Sequence, residues 1–338
     1  MKRILFYSSV NSLELFKTQK FYQIDISILK DLGYDVLLSN RIFDSLLFWK
    51  YDILFSYFYR YSFFAALLAK CFGKKTYFTG GIDSLDSDYA SAFNYKIQAL
   101  FFKLCYWVAD SCIIVSQSDL KNIFKVSSLK KKLSYSEHVI NTKLFIADVP
   151  KEKIFTSIVW MGDEGNVVRK GVDKALQIFA ELKKIPEFVD YRFVIIGRKG
   201  EGEVLVRSII DKYNLKGSVE LKGEVSEEDK INLLKRSKYY FQLSLYEGFG
   251  LAALEALCAN NIIIHSGKGG LANPIYKEQL LFDIDNDFDS ELLKLVNKLA
   301  CFTPITSYDN LLEYYDIQRR KDDFEAIIVN GKSNYKLK

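Results

Sequence analysis

Short apolar runs alternate with longer segments in which apolar residues recur every third or fourth position, and the alternation is completed once and then begun again. In the first pass residues 2–9, 34–39, 52–56, 75–79 and 111–116 read as strands, and 21–32, 62–72 and 95–108 as helices. A regular βαβ alternation of this kind predicts a parallel sheet covered by helices on both faces. In the second pass residues 154–160, 191–196, 219–222, 239–245 and 262–264 read as strands. Between them, 172–184 carries apolar residues at 172, 175, 176, 179 and 182, one face of a helix, with a polar loop expected before it. Helices are also expected over 204–213, from Ser226 in a capping-box pattern with Asp229, over 290–300 and over 307–320. The fold class is α/β, with a linker around 141–153 separating the two passes. The expected division is 1–150, 151–306 and a terminal helix and tail, 307–338, packing back on the first domain.

Candidate chemistry concentrates in SLYEGFGLAALEALCANN. Glu247 and Glu255 have seven residues between them, with a Gly-Phe-Gly turn and the start of a helix in the interval. Gly248 and Gly250 permit a tight turn, and the Leu- and Ala-rich run from Leu251 favours helix. A helix beginning near Gly250 aims unpaired N–H groups at the turn, a ready seat for a phosphate or diphosphate, and the two carboxylates can accept hydroxyls on either side of it. The strand at 262–264 leads into Ser266-Gly267-Lys268-Gly269-Gly270, so both loops are expected at the carboxyl ends of parallel strands, where open α/β sheets bind ligands. Arg169-Lys170-Gly171 precedes the helix at 172, and two cations at a helix N-terminus oppose its dipole unless an anion joins them. A diphosphate held from three sides would satisfy all of this. The glycines at 197, 200 and 202 do not form a dinucleotide fingerprint, and no P-loop occurs.

Bulk properties narrow the class. The chain has 338 residues, suited to two domains, and nearly half are apolar. No apolar run reaches the roughly 18 residues of a membrane-spanning helix, and the first residues read as strand instead of signal peptide, so a cytoplasmic location is expected. Cys71, Cys105, Cys112, Cys258 and Cys301 lie apart and read as reduced thiols; with only His138 and His265 available, no metal site is expected. Residues 1–150 carry 19 Lys and Arg against 13 Asp and Glu, a balance of +6, leaving 28 against 29 for the rest. This basic half interleaves lysine with aromatic residues in SLLFWKYDILFSYFYRYSFFAALLAK and ALFFKLCYWVAD, and holds the run KNIFKVSSLKKKLS. That composition suits a peripheral contact with the inner face of a membrane, and equally a core helix beside a solvated loop; it is too weakly basic for a dedicated nucleic-acid binder.

Taken in order, the elements of residues 154–274 resemble the donor domain of retaining GT-B glycosyltransferases, in particular the large family 4 group with its E-x7-E motif. The resemblance implies two Rossmann-like domains facing across a cleft and transfer of a hexose from a UDP- or GDP-linked sugar to a glycan or lipid-linked acceptor. It also implies retention of configuration, no metal or other cofactor, and a role in polysaccharide biosynthesis. By the same resemblance Lys170, with Arg169, neutralises the donor diphosphate, Glu247 touches the transferred sugar, and Glu255 holds the ribose. The backbones of Phe249, Gly250, Leu251, Gly269 and Gly270 line the phosphates and sugar, and the base rests near Gly223 and Val225. Departures are visible too: Asp163 follows Gly162 where the family commonly has a cation, Leu271-Ala272-Asn273 lacks the usual glutamate, and Thr79-Gly80-Gly81-Ile82-Asp83 lacks the usual acceptor-side histidine. Asp83 is the candidate for that acceptor-side role. Two alternatives stay open on these departures: a nucleotide-sugar epimerase of the same architecture, and a non-catalytic GT-B-like nucleotide-binding or partner subunit.

Overall fold

The computed structural model describes residues 1–146, 149–302 and 309–332. The chain divides into two compact units, one of residues 1–140 with 314–338 and one of residues 141–313.

The amino-terminal unit is built on β1 (Arg3–Ser8), β2 (Asp35–Ser39), β3 (Ile53–Tyr57), β4 (Lys75–Thr79), β5 (Ser111–Ile114) and β6 (Leu133–Tyr135), in the order β2-β1-β3-β4-β5-β6. All neighbours pair in parallel. Its helices are α1 (Leu15–Thr18), α2 (Lys20–Asp31), α3 (Ser62–Cys71), α4 (Ala92–Val108) and α5 (Gln117–Val126). Successive strand residues point to opposite faces, and here both faces are buried. Ile4 and Phe6 of β1 and Ile53, Phe55 and Tyr57 of β3 enter a core with α2, while Leu5, Tyr7 and Leu54 enter another with α3 and α4.

The carboxyl-terminal unit is built on β7 (Glu152–Ile158), β8 (Arg192–Ile196), β9 (Val219–Gly223), β10 (Ser237–Gln242), β11 (Ile262–His265) and β12 (Leu280–Leu281), in the order β12-β11-β10-β7-β8-β9. These pairs are also parallel. Its helices are α6 (Glu164–Arg169), α7 (Val172–Leu182), α8 (Glu203–Lys212), α9 (Glu227–Arg236), α10 (Leu251–Cys258), α11 (Phe288–Cys301) and α12 (Asp309–Tyr314). The strand order reverses between β7 and β10, the place where doubly wound sheets leave a crevice at their carboxyl ends.

The helix α13 (Ile317–Phe324) returns to the amino-terminal unit. Arg320 is fully buried and grips Asp25 of α2 with two parallel bonds, Nε to Oδ1 at 2.7 Å and Nη2 to Oδ2 at 2.8 Å. Its Nη1 donates to the carbonyl of Ser136 at 2.5 Å, and Phe324 packs 5.5 Å from Phe55. The expected helix over 307–320 begins in residues outside those described, and within the described part it is broken between α12 and α13.

Three sequence expectations are corrected. The polar loop expected before residue 172 contains α6, whose N-terminus is capped by Asp163 through the Asn166 N–H at 2.6 Å. The segment after β5, given no element by the pattern, forms α5 and β6. The strand expected over 239–245 ends at Gln242, because the backbone then leaves the sheet and Leu245 donates to the carbonyl of Arg169 at 2.8 Å.

Candidate functional site

Three loops meet at the carboxyl ends of β10, β11 and the α6–α7 turn. The α6–α7 turn is forced by Gly171, with φ of 67°, which packs so tightly on Leu243 that an added Cβ would lie 2.0 Å from its carbonyl oxygen. Arg169 therefore lies in the last turn of α6 and Lys170 is its C-cap. Both also lie directly before Gly171, the N-cap of α7, as expected, so the opposition to the α7 dipole is offset by a favourable place at the end of α6. The Arg169 guanidinium turns to Asn166, Nη2 to Oδ1 at 2.7 Å.

Lys170 reaches the other way. Its ammonium lies 2.7 Å from Oε2 of Glu247, 77 positions later in sequence. The same oxygen accepts from Gln242 at 3.0 Å and Ser244 at 3.2 Å. Tyr240, Gln242 and Ser244 occupy alternate positions and form a buried chain, Tyr240 OH to Gln242 at 3.1 Å and Gln242 to Ser244 at 2.8 Å. Burial pushes the Tyr240 phenol well above its ordinary range, with the two glutamates adding to the effect, so it stays a neutral donor. Glu247 is thus held rigidly through one oxygen, leaving Oε1 for a ligand.

The glycine loops are shaped by backbone contact. The Gly270 N–H donates to the Glu247 carbonyl at 2.6 Å. An added Cβ would lie 2.3 Å from that carbonyl at Gly269, and 2.6 Å from the Phe249 backbone at Gly270. Gly250, with φ of 89°, is the N-cap of α10 and makes no side-chain cap. The free N–H groups that open α10, Glu247 and the Gly269-Gly270 turn are therefore brought together, as are Phe249 and Leu251 on the same backbone. A cavity of about 550 Å³ borders the far flank of the loop, lined by His265, Ser266, Lys268, Asn273, Tyr276 and Lys277 but by neither glutamate.

Glu255 is buried in α10, and both its oxygens are engaged by Lys230 of α9, at 2.8 and 2.7 Å. Lys230 also reaches Glu227 at 3.1 Å and lies over the ring of Phe145. The two glutamates of the motif are thus each matched by a lysine from another helix. Gly223 ends β9, with φ of 76° and the Lys199 side chain across it, and Val225 packs beside Ile154, Val194, Ile196 and Leu233. Asp83 belongs to the other unit, exposed in a short turn after β4. The adjoining Ile82 N–H donates at 3.3 Å to Asp119, a fully buried carboxyl pushed up to about 8 by burial first and by Asp83 next.

Sequence reasoning missed Gln242, Ser244, Lys199 and Lys230. Polar residues at alternate positions of the apolar run from 239 were a readable sign of the first two; Lys230 carries no such sign, because its partner is 25 positions away on another helix.

Residues 165–299 match the profile of the family described as glycosyl transferases group 1. The match lies within the carboxyl-terminal unit. The matched stretch contains Lys170, Glu247, Lys230 and Glu255 together with both glycine loops. Among curated proteins, the GDP-mannose:cellobiosyl-diphosphopolyprenol alpha-mannosyltransferase of Xanthomonas oryzae pv. oryzae is 31% identical over 163 residues, 42% of this chain and 40% of that protein. A phosphatidylinositol N-acetylglucosaminyltransferase subunit of Homo sapiens is 30% identical over 105 residues, 31% of this chain and 21% of that protein. The matches thus span less than half the length of these relatives. Among solved structures, Anabaena HepE in complex with UDP and glucose superposes with a TM-score of 0.73 at 11% identity, covering 98% of this chain and 100% of that one. Sucrose-phosphate synthase from Thermosynechococcus elongatus gives 0.66 at 16% identity, covering 98% and 97%. The fold is GT-B, with two Rossmann-like units and two six-stranded parallel sheets.

Proposed function

We propose that the protein is a retaining, metal-independent glycosyltransferase that moves a sugar from a UDP- or GDP-linked donor to a glycan or lipid-linked acceptor. The observation that carries this reading is the Lys170–Glu247 pair, held beside the opening of α10 and the Gly269-Gly270 turn at the sheet's switch point. The relatives add support: one uses GDP-mannose and a diphosphopolyprenol, another is named for phosphatidylinositol, and HepE binds UDP and glucose.

In the reaction, the bond from the sugar's anomeric carbon to the donor's β-phosphate oxygen breaks, and its electron pair leaves with the diphosphate. Positive charge builds on the ring and negative charge on the leaving group. Lys170 and the N–H groups of α10 meet that negative charge, each good preorganised donor lowering the barrier by about 3 kcal/mol. Arg169 assists from the same turn. Glu247 accepts hydroxyls of the sugar, and Glu255, oriented by Lys230, accepts those of the ribose. The base rests near Gly223 and Val225. The acceptor hydroxyl attacks on the face the diphosphate leaves and passes its proton to the departing phosphate oxygen, which gives retention. Asp83 serves the acceptor side, and the protein works at the cytoplasmic face of a membrane.

The test is a thermal-shift series with UDP, GDP, ADP, CMP and their sugar conjugates. A ligand at 100 times its dissociation constant stabilises the folded state by about 2.7 kcal/mol. One nucleoside diphosphate should shift the protein strongly and the Glu255→Ala variant weakly; a series with no shift overturns the donor assignment.

A further inference from the structure

The outward face of α4 is unusual for a helix on a parallel sheet. Phe93, Lys96, Leu100, Lys103 and Trp107 are all exposed, and their spacing of three, four, three and four residues places them in one stripe. The stripe runs about 21 Å along the helix. Its large side chains are open to solvent, Phe93 at 72%, Leu100 at 56% and Trp107 at 68%, while Gln98, Phe102, Cys105 and Tyr106 cover the core on the other side. The neighbouring elements continue the pattern. α3 packs against both α4 and the short turn Ile42–Leu46, and presents Phe64, while its Lys70 is paired with Asp110 at 2.8 Å; Phe72 follows it, stacked on Phe48 at 4.3 Å, with Trp49 and Phe43 exposed beyond. Neither α3 nor α4 contains an acidic residue.

An apolar surface of this extent normally finds a partner. Aromatic and leucine side chains alternating with lysine, without acids, match the headgroup layer of a bilayer: rings enter the interface and ammonium groups meet anionic lipid. Among the described residues no helix is long and apolar enough to cross a membrane, so the contact is one of surface. The cationic run at 130–132 contributes little to it. Lys132 is turned inward onto the α4 carbonyls of Tyr106 and Trp107, and Lys130 lies over Phe124.

We propose that the α3–α4 face docks the protein on the surface of an anionic lipid bilayer, with Phe93, Leu100 and Trp107 inserted at the headgroups and Lys96 and Lys103 on the phosphates. The proposal rests on the reading of a lipid-linked acceptor and names the surface that would bring the protein to it.

The experiment is sedimentation with vesicles of phosphatidylcholine alone and of phosphatidylcholine with one quarter phosphatidylglycerol, without nucleotide. Binding is expected to the anionic vesicles only. Lys96→Glu with Lys103→Glu should weaken it at least about 30-fold, and Phe93→Ser with Trp107→Ser should abolish it. Because these side chains are exposed, the variants should keep the wild-type circular dichroism and nucleotide shift. In a Trp49→Phe, Trp160→Phe background, which leaves Trp107 as the one tryptophan, anionic vesicles should move tryptophan emission to the blue, an effect lost with Trp107→Ser. No vesicle binding, or binding equal in the variants, overturns the proposal. So does a dimer in light scattering that Phe93→Ser with Trp107→Ser converts to monomer, since a second copy would then cover the face. Nucleotide binding measured without vesicles separates this failure from failure of the transferase reading.

Discussion

Asp25–Arg320 in one unit and Lys170–Glu247 in the other are both close ion pairs between residues far apart in sequence, yet they differ in what surrounds them. Arg320 and Asp25 have no exposed side-chain surface, and the guanidinium spends its donors on Asp25 and the Ser136 backbone. Tyr57 completes the shell with a 2.5 Å bond to Asp25. Lys170 and Glu247 keep 21% and 16% of their side-chain surface, and the ligands of Glu247 converge on a single oxygen. A closed pair has satisfied every group and can only hold the fold. A pair with one side open retains charge and lone pairs for something not yet bound. Lys230–Glu255 stands between them, nearly buried but at the head of the same helix cluster.

The comparison can be broken most forcefully at the closed pair. Asp25→Ala leaves the Arg320 charge buried without its partner and should cost about 3–5 kcal/mol in chemical denaturation, whereas replacing both residues by apolar ones of similar size should restore most of the loss. A single variant as stable as wild type would show the pair to be idle. At the open pair the cost should appear in rate. Lys170→Met is expected to lower kcat about 10²- to 10³-fold with little change in melting temperature, measured once a donor is known; an equal loss of stability would make Lys170 a structural residue.

Acidification sharpens the contrast between the units. Burial holds His265 down to about 4, and His138, buried beside Arg320 and Arg319, is held well below its ordinary value. Both are depressed in the folded state, so that state binds fewer protons; stability is complete above pH 6.5 and falls as pH drops toward 4. His265 alone should cost about 2 kcal/mol between pH 7 and 5. His265→Leu should flatten that part of the stability–pH curve, and an unchanged slope would refute the assignment. The smallest effect belongs to Arg236–Glu152, whose side chains are 53% and 39% exposed. Arg236→Ala should change stability by at most about 1 kcal/mol, and less in high salt.

Much of the architecture was legible because parallel strands buried on both faces are short apolar runs and their helices show a clear stripe. The element at 164–169 escaped because its initiating signal is a single capping aspartate in a polar stretch, and α5 and β6 escaped because polar residues around 117–132 dilute the period. At the site, Glu247, Glu255 and the glycine turns were readable from their order and spacing. The place of the 169–170 cations before the helix at 172 was readable as well, whereas their second place, at the end of α6, was not, because the pattern had hidden that helix.

By itself, the sequence determined the two α/β passes, the placement of the glycine loops after strands and the concentration of lysine and aromatic residues in the first half, all of which follow from local period and residue chemistry. Tertiary structure decided which charges meet. Lys170 finds Glu247, Lys230 finds Glu255 and Arg320 finds Asp25 only after strands are ordered and helices packed. It also decided which aromatic residues turn inward and which stay on the surface of α4, since an apolar side chain has no local signal that tells core from docking face.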